Sequence, residues 1–131
     1  MKVLALDYGR ARTGVAVSDP TGTFARPLGV VQRAGSERGL AEVARLIEQH
    51  EPECVVVGMP LTLRGTRGEQ AQETEAFIEA LSNTTDVQVV AFDERFTTNL
   101  AEQTGSAGAE EDARAAAHLL SSYLVWASAE A

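Results

Sequence analysis

Residues 4 to 19 read LALDYGRARTGVAVSD. Two apolar stretches, 2–8 and 13–18, are rich in Val, Leu and Ala and flank the turn-like segment Gly9 to Arg12, which predicts a β-hairpin. Asp19-Pro20-Thr21-Gly22 is a further turn by composition, and 23–32 then resumes with Phe24, Leu28, Val30 and Val31. This third strand carries Pro27, which has no N–H to give a neighbour and so belongs at a sheet edge or a bend. The chain therefore begins with three successive antiparallel strands.

Downstream the pattern changes. Ser36 is placed to cap a helix whose apolar residues Leu40, Val43, Ala44, Leu46 and Ile47 recur at helical spacing until Pro52. Cys54 to Met59 is a continuous apolar run, as in a strand covered on both faces, and it marks the switch to parallel crossovers. A polar, glycine-bearing loop over 61–68 leads to a helix over 69–81, with Ala76, Phe77, Ala80 and Leu81 inward. Residues 87–92 form a fifth strand. The small-residue run TGSAGA, 104–109, reads as a mobile loop before a last helix over 110–127. The order β-β-β-α-β-α-β-α specifies an α/β fold with a mixed five-stranded sheet flanked by helices.

At 131 residues the chain holds one domain with a real core and has no room for a second. With 44% apolar and 23% charged residues it is not a disordered chain. Only Val3 to Leu6 precede Asp7 as an apolar run, too short for a signal-peptide core or a membrane span, so a cytoplasmic protein without a membrane partner is expected. Cys54 is the lone cysteine, and its valine neighbours predict a buried strand thiol instead of a nucleophile. A net charge of −8 argues against broad, nonspecific polyanion binding. Its distribution tempers that: Arg10, Arg12, Arg26, Arg33, Arg64, Arg67 and Arg95 lie near strand ends and loops. Glu42, Glu48, Glu51, Glu73, Glu75 and Glu79 lie on predicted helices, so a basic mouth on an acidic body is expected.

Carboxylates stand at element ends far apart in the chain. Asp7 ends the first strand just before Gly9, and Asp93 and Glu94 end the fifth, pointing to opposite faces if the strand runs through both. Asp112 opens the last helix. At about 100° per residue, Ala116, Leu119, Leu120 and Tyr123 fall within about 80° of it, so Asp112 begins the inward stripe. Taken singly, each acid has a structural explanation, since Asp7 can cap a turn and Asp112, with Glu110 and Glu111, complements the helix dipole. Gathered in one cleft, three carboxylates repel one another unless a cation offsets them, and oxygen-only ligation suits Mg2+ or Mn2+. Two such ions can activate water and stabilise a leaving oxygen in phosphodiester cleavage. Neither His50 nor His118 is placed as a ligand: His118 lies about 120° from Asp112, and His50 sits at a helix end where a cation is favourable. The alternation does not choose between Asp93 and Glu94.

Four blocks, LALDYGRARTGVAVSD, VVVGMPLTLRGTRGEQ, FDERFTT and DARAAAHLLSSYL, resemble in order the signature blocks of the YqgF family, also called RuvX. The resemblance covers nearly the whole chain and implies an RNase H-like fold. It also implies a divalent-metal-dependent nuclease acting on structured or precursor RNA, with maturation of the 5′ end of precursor 16S rRNA as the expected role. The alternative is a Holliday junction resolvase cutting four-way junctions in DNA or RNA, which would call for a homodimer. The family's acidic positions fall on Asp7, Glu94 and Asp112 as catalytic and metal-holding residues. Arg10, Arg12, Arg64, Arg67, Arg95, Thr97 and Thr98 become the nucleic-acid-binding candidates, with Gly9, Gly14, Gly58 and Pro60 shaping the loops. One departure is plain: EQTGSAGAEE precedes Asp112 where many members carry Lys and Arg, and no basic residue lies between Arg95 and Arg114. That favours a single-stranded or flexible substrate over tight duplex binding by a monomer. A phosphotransferase of the actin and sugar-kinase type shares the Asp-x-Gly turn but clasps its nucleotide between two such domains. A non-catalytic RNase H-like interaction module ranks below both nucleases because all three acids are present.

Overall fold

A computed structural model describes residues 1–60, 68–94 and 109–130, the last helix without the side chains of residues 109 and 130. The strands are Val3–Asp7 (β1), Arg12–Ser18 (β2), Ala25–Gln32 (β3), Cys54–Met59 (β4) and Gln88–Asp93 (β5). The helices are Glu37–His50 (α1), Glu69–Ser82 (α2) and Ala109–Glu130 (α3). They build one sheet in the order β3-β2-β1-β4-β5, antiparallel from β3 to β1 and parallel from β1 to β5. This is the mixed five-stranded sheet expected, with the parallel pairing beginning at the apolar run of β4.

Alternation along the strands divides the core. Leu4, Leu6, Val15, Val17, Val55 and Val57 face α1 and α2, where Val43, Ile47, Phe77 and Leu81 cover them. Val3, Ala5, Ala16, Cys54, Val56 and Phe92 face α3, against Ala116, Leu119, Leu120 and Tyr123. Each large side chain buried here contributes about 1.5 to 3 kcal/mol of transfer free energy. The two-residue period of a strand then puts Asp7, Gly14, Gly58 and Glu94 on the α3 side.

Several local expectations change. The third strand begins at Ala25 because Asp19 holds residues 19–24 as a turn. Its Oδ1 accepts from the Thr23 and Phe24 N–H groups, each at 2.8 Å, and Phe24 is left 72% exposed. Pro27 does lie on an edge strand, beside a register shift opposite Val15 and Ala16 that Gly29, at φ 155°, accommodates. In α2 the buried stripe is Ala71, Thr74, Phe77 and Leu81; Ala76 is exposed and Ala80 half-buried, because the stripe centres on Phe77 and its neighbours three and four residues away. Ser36 caps α1 as expected, accepting from the Gly39 N–H at 3.0 Å. His50 is no favoured cation: burial and then the charges of Lys2 and Arg26 push its pKa down. Cys54 is buried with its Sγ 4.0 Å from the Tyr123 hydroxyl, and burial pushes the thiol pKa up. The loops read at 61–67 and 104–108 lie outside the described residues. Among the described residues no helix is long and apolar enough to cross a membrane.

Candidate active site

Asp7 stands at the end of β1 and Glu94 immediately after β5, with β4 between them. At about 4.8 Å per strand, the two backbones are separated by about 10 Å. A glutamate side chain spans that gap only if the intervening strand is bare. It is: a Cβ on Gly58 would sit 2.7 Å from Glu94 Oε1, so the glycine lets Glu94 pass over β4 and hydrogen-bond Asp7. Phe92 packs on the α3 side, and alternation carries Glu94 to that side and Asp93 to the other.

Asp112 arrives from α3. Gly14 is the register partner of Asp7, and a Cβ added there would lie 1.9 Å from the Asp112 carbonyl oxygen. The missing side chain allows the first turn of α3 to rest directly on β2, next to Asp7. The Asp112 carboxylate is 30% exposed, and its Oδ2 lies 2.9 Å from Arg12 Nε. That oxygen is itself buried and accepts no hydrogen bond of good geometry, so the contact is an ion pair without directional bonding.

Burial dominates the electrostatics. It pushes the Glu94 carboxyl up to about 7, aided by the charge of Asp7, the hydrogen bond to it and the charge of Asp93. Burial also raises Asp7, opposed by the hydrogen bond from Glu94 and reinforced by the charge of Asp112. Below about pH 7 Glu94 is therefore the donor and Asp7 the acceptor of the proton between them. A hard cation could take that proton's place, and a donor set of carboxylate oxygens suits one. Among the described residues no three such side chains stand close enough to hold one ion as they lie. Asp112 Oδ2 lies against Arg12.

Arg10 is engaged as well. It pairs with Glu73 and lies 3.9 Å from Glu69, both on α2. The expected separation of a basic mouth from an acidic body is thus corrected, because Glu73 belongs to the mouth and meets Arg10. Gly9 closes the turn, its N–H donating to Thr13 Oγ1 at 3.3 Å. Tyr8 points to the other side of the sheet, stacked on Phe77 with ring centroids 4.5 Å apart. With Gly9, Arg10, Glu69, Gln70 and Glu73 it lines a cavity of about 480 Å³. Pro60 is half-buried just past β4. Arg64, Arg67, Arg95, Thr97 and Thr98 lie outside the described residues. Sequence reasoning missed the Arg12–Asp112 pair, the place of Glu73 and the stacking of Tyr8. Strand parity gave the only signal for the last of these.

A family model described as RuvX: Holliday junction resolvase matches residues 1–125. A protein of Chloroflexus aurantiacus named "Putative pre-16S rRNA nuclease" is 44% identical over 101 residues, which cover 77% of this chain and 66% of that protein, just under two thirds of its length. A protein of the same name from Anaeromyxobacter sp. is 41% identical over 132 residues, covering 95% and 96% of the two chains. Among solved structures, Thermus thermophilus RuvC in complex with a Holliday junction substrate superposes with a TM-score of 0.67 at 19% identity, covering 98% of this chain and 96% of that one. The fowlpox virus Holliday junction resolvase gives 0.54 at 14% identity, covering 96% and 99%. At these identities the likeness is one of fold, which is RNase H-like.

Proposed function

The chain belongs to the RuvX family, and on that basis we propose that it is a divalent-metal-dependent nuclease. It hydrolyses phosphodiester bonds in structured or precursor RNA, with the 5′ end of precursor 16S rRNA as the substrate. The observation that carries this reading is the hydrogen bond between Asp7 and Glu94, with the charge of Asp112 felt at Asp7. Acids that burial and mutual repulsion penalise are kept for chemistry more readily than for stability.

Asp7, Glu94 and Asp112 are the residues that would hold Mg2+ or Mn2+. When bound, such ions supply positive charge that activates water and stabilises the leaving oxygen. The rest falls to the chain itself. The β1 register fixes Asp7, Gly58 gives Glu94 its path, and Gly14 sets the depth of Asp112. Glu94, at about 7, gives up its proton near neutral pH, so its charge is available when a cation competes for it. Arg12, beside Asp112, and Arg10, beside α2, are the arginines that would offer planar forks to backbone phosphates. Arg64, Arg67, Arg95, Thr97 and Thr98 complete the nucleic-acid-binding set, within one nuclease domain over residues 1–131 that works in the cytoplasm.

The names of the relatives support RNA. The charge balance favours a single-stranded or flexible substrate over a tightly gripped duplex: the net charge is −8 and, among the described residues, Arg10 and Arg12 each face a carboxylate. The family's description favours a second reading, resolution of four-way junctions, which requires two symmetric cuts and hence a homodimer. End-labelled RNA and DNA, linear and four-way, incubated with Mg2+ or Mn2+, separate the two. RNA cleavage that disappears in Asp7→Asn supports the first reading. Paired symmetric cuts confined to DNA junctions support the second, and no metal-dependent cleavage of any substrate overturns both.

A further inference from the structure

Arg12 does not reach solvent unaccompanied. Its Nε lies 2.9 Å from Asp112 Oδ2, yet that buried oxygen accepts no well-directed hydrogen bond. The Asp112 carbonyl is seated against Gly14, which packs the backbone closely on β2 and leaves the side chain as the part with room to turn. Arg12 itself begins β2 and is 41% exposed, open to a phosphate arriving from solvent. A phosphate offers its fork two oxygens, where Asp112 now offers one poorly aimed atom.

Resting on the nuclease reading above, we infer that Arg12 is a positioning residue for Asp112: it holds the carboxylate away from Asp7 and Glu94 until a substrate phosphate takes Arg12 over. Metal and nucleic acid then favour one another's binding, since each is helped by the same parting of Arg12 from Asp112. Three observations converge on this. The ion pair exists, the buried oxygen is unsatisfied within it, and among the described residues the three acids are not gathered closely enough to share one ion. A purely stabilising pair would make the opposite demand, that losing Arg12 weaken everything around Asp112.

The test is Mn2+ binding without nucleic acid, read by the free-Mn2+ electron paramagnetic resonance signal, with circular dichroism to confirm folding. Arg12→Gln is expected to bind Mn2+ about threefold to tenfold more tightly than the wild-type chain, the scale of a half-exposed ion pair released. The gain should vanish when Asp112→Asn is added, which separates loss of this contact from a general change of charge. Arg10→Gln, carrying the same change of charge, should gain less. Equal or weaker Mn2+ binding in folded Arg12→Gln, or a gain that survives Asp112→Asn, overturns the inference alone. If neither the wild-type chain nor the variant binds Mn2+, the metal-dependent reading falls and takes this inference with it. If Arg12→Gln cannot be folded, Arg12→Met replaces it, since it keeps the aliphatic stem but loses both the charge and the fork. An unchanged Mn2+ affinity there, together with unchanged binding of a labelled oligonucleotide in EDTA, also overturns it.

Discussion

Glu94→Gln should stabilise the metal-free protein while removing its activity. The folded chain holds the Glu94 proton up to about pH 7, whereas an unfolded chain releases it near 4.5. A carboxyl raised in this way contributes stability that is fully present below about pH 4.5 and lost as the pH rises through about 7. At 1.36 kcal/mol for each pKa unit, the ceiling on that loss is about 3 kcal/mol; solvent reaching the site reduces it to about 1 to 2 kcal/mol. Glutamine keeps a donor for Asp7 and cannot ionise, so the variant escapes the loss. Urea denaturation in EDTA, followed by circular dichroism, should show Glu94→Gln more stable than the wild-type chain by about 1 to 2 kcal/mol at pH 8 and by much less at pH 5. A variant no more stable at pH 8, or one shifted equally at both pH values, would refute the claim that burial and Asp7 hold Glu94 protonated.

Asp7→Asn and Asp112→Asn should each lower metal-dependent cleavage by about a hundredfold or more with the fold intact, which steady-state rates and circular dichroism check together. The two glycines should part company. Gly14→Ala drives a methyl into the Asp112 backbone, and thermal melts should show a loss of about 2 to 3 kcal/mol. Gly58→Ala meets only the Glu94 side chain, so the melting temperature should barely move while turnover falls. Glu73→Gln removes the nearer of the two carboxylates on Arg10 and should tighten oligonucleotide binding severalfold at low salt, an effect measured by fluorescence anisotropy that fades as salt is raised.

Most of the fold was legible because its signals are local. The turn at Gly9 to Arg12, the run Cys54 to Met59 and the stripe from Asp112 to Tyr123 each declare an element without reference to the others. The site was legible in part for the same reason: Phe92 and Glu94 share a parity, as do Ala5 and Asp7, once the α3 side of the sheet is known. What sequence could not supply was the side chosen by each strand, hence the choice of Glu94 over Asp93 had to come from resemblance. Pairings across elements were hidden for a stronger reason. Arg12 with Asp112, and Arg10 with Glu73, join residues that meet only after the sheet has set the depth of two helices. A charge on a predicted helix does not say whether the helix turns it toward the mouth, as Glu73 demonstrates.

The central claim is that Asp7, Glu94 and Asp112 hold a cation together, and anomalous diffraction from crystals grown with Mn2+ and a short oligonucleotide addresses it most directly. Anomalous density bounded by the three carboxylates, with Arg12 on a phosphate, is the expected result. Density elsewhere, or none while the acids keep their present pairings, would contradict it.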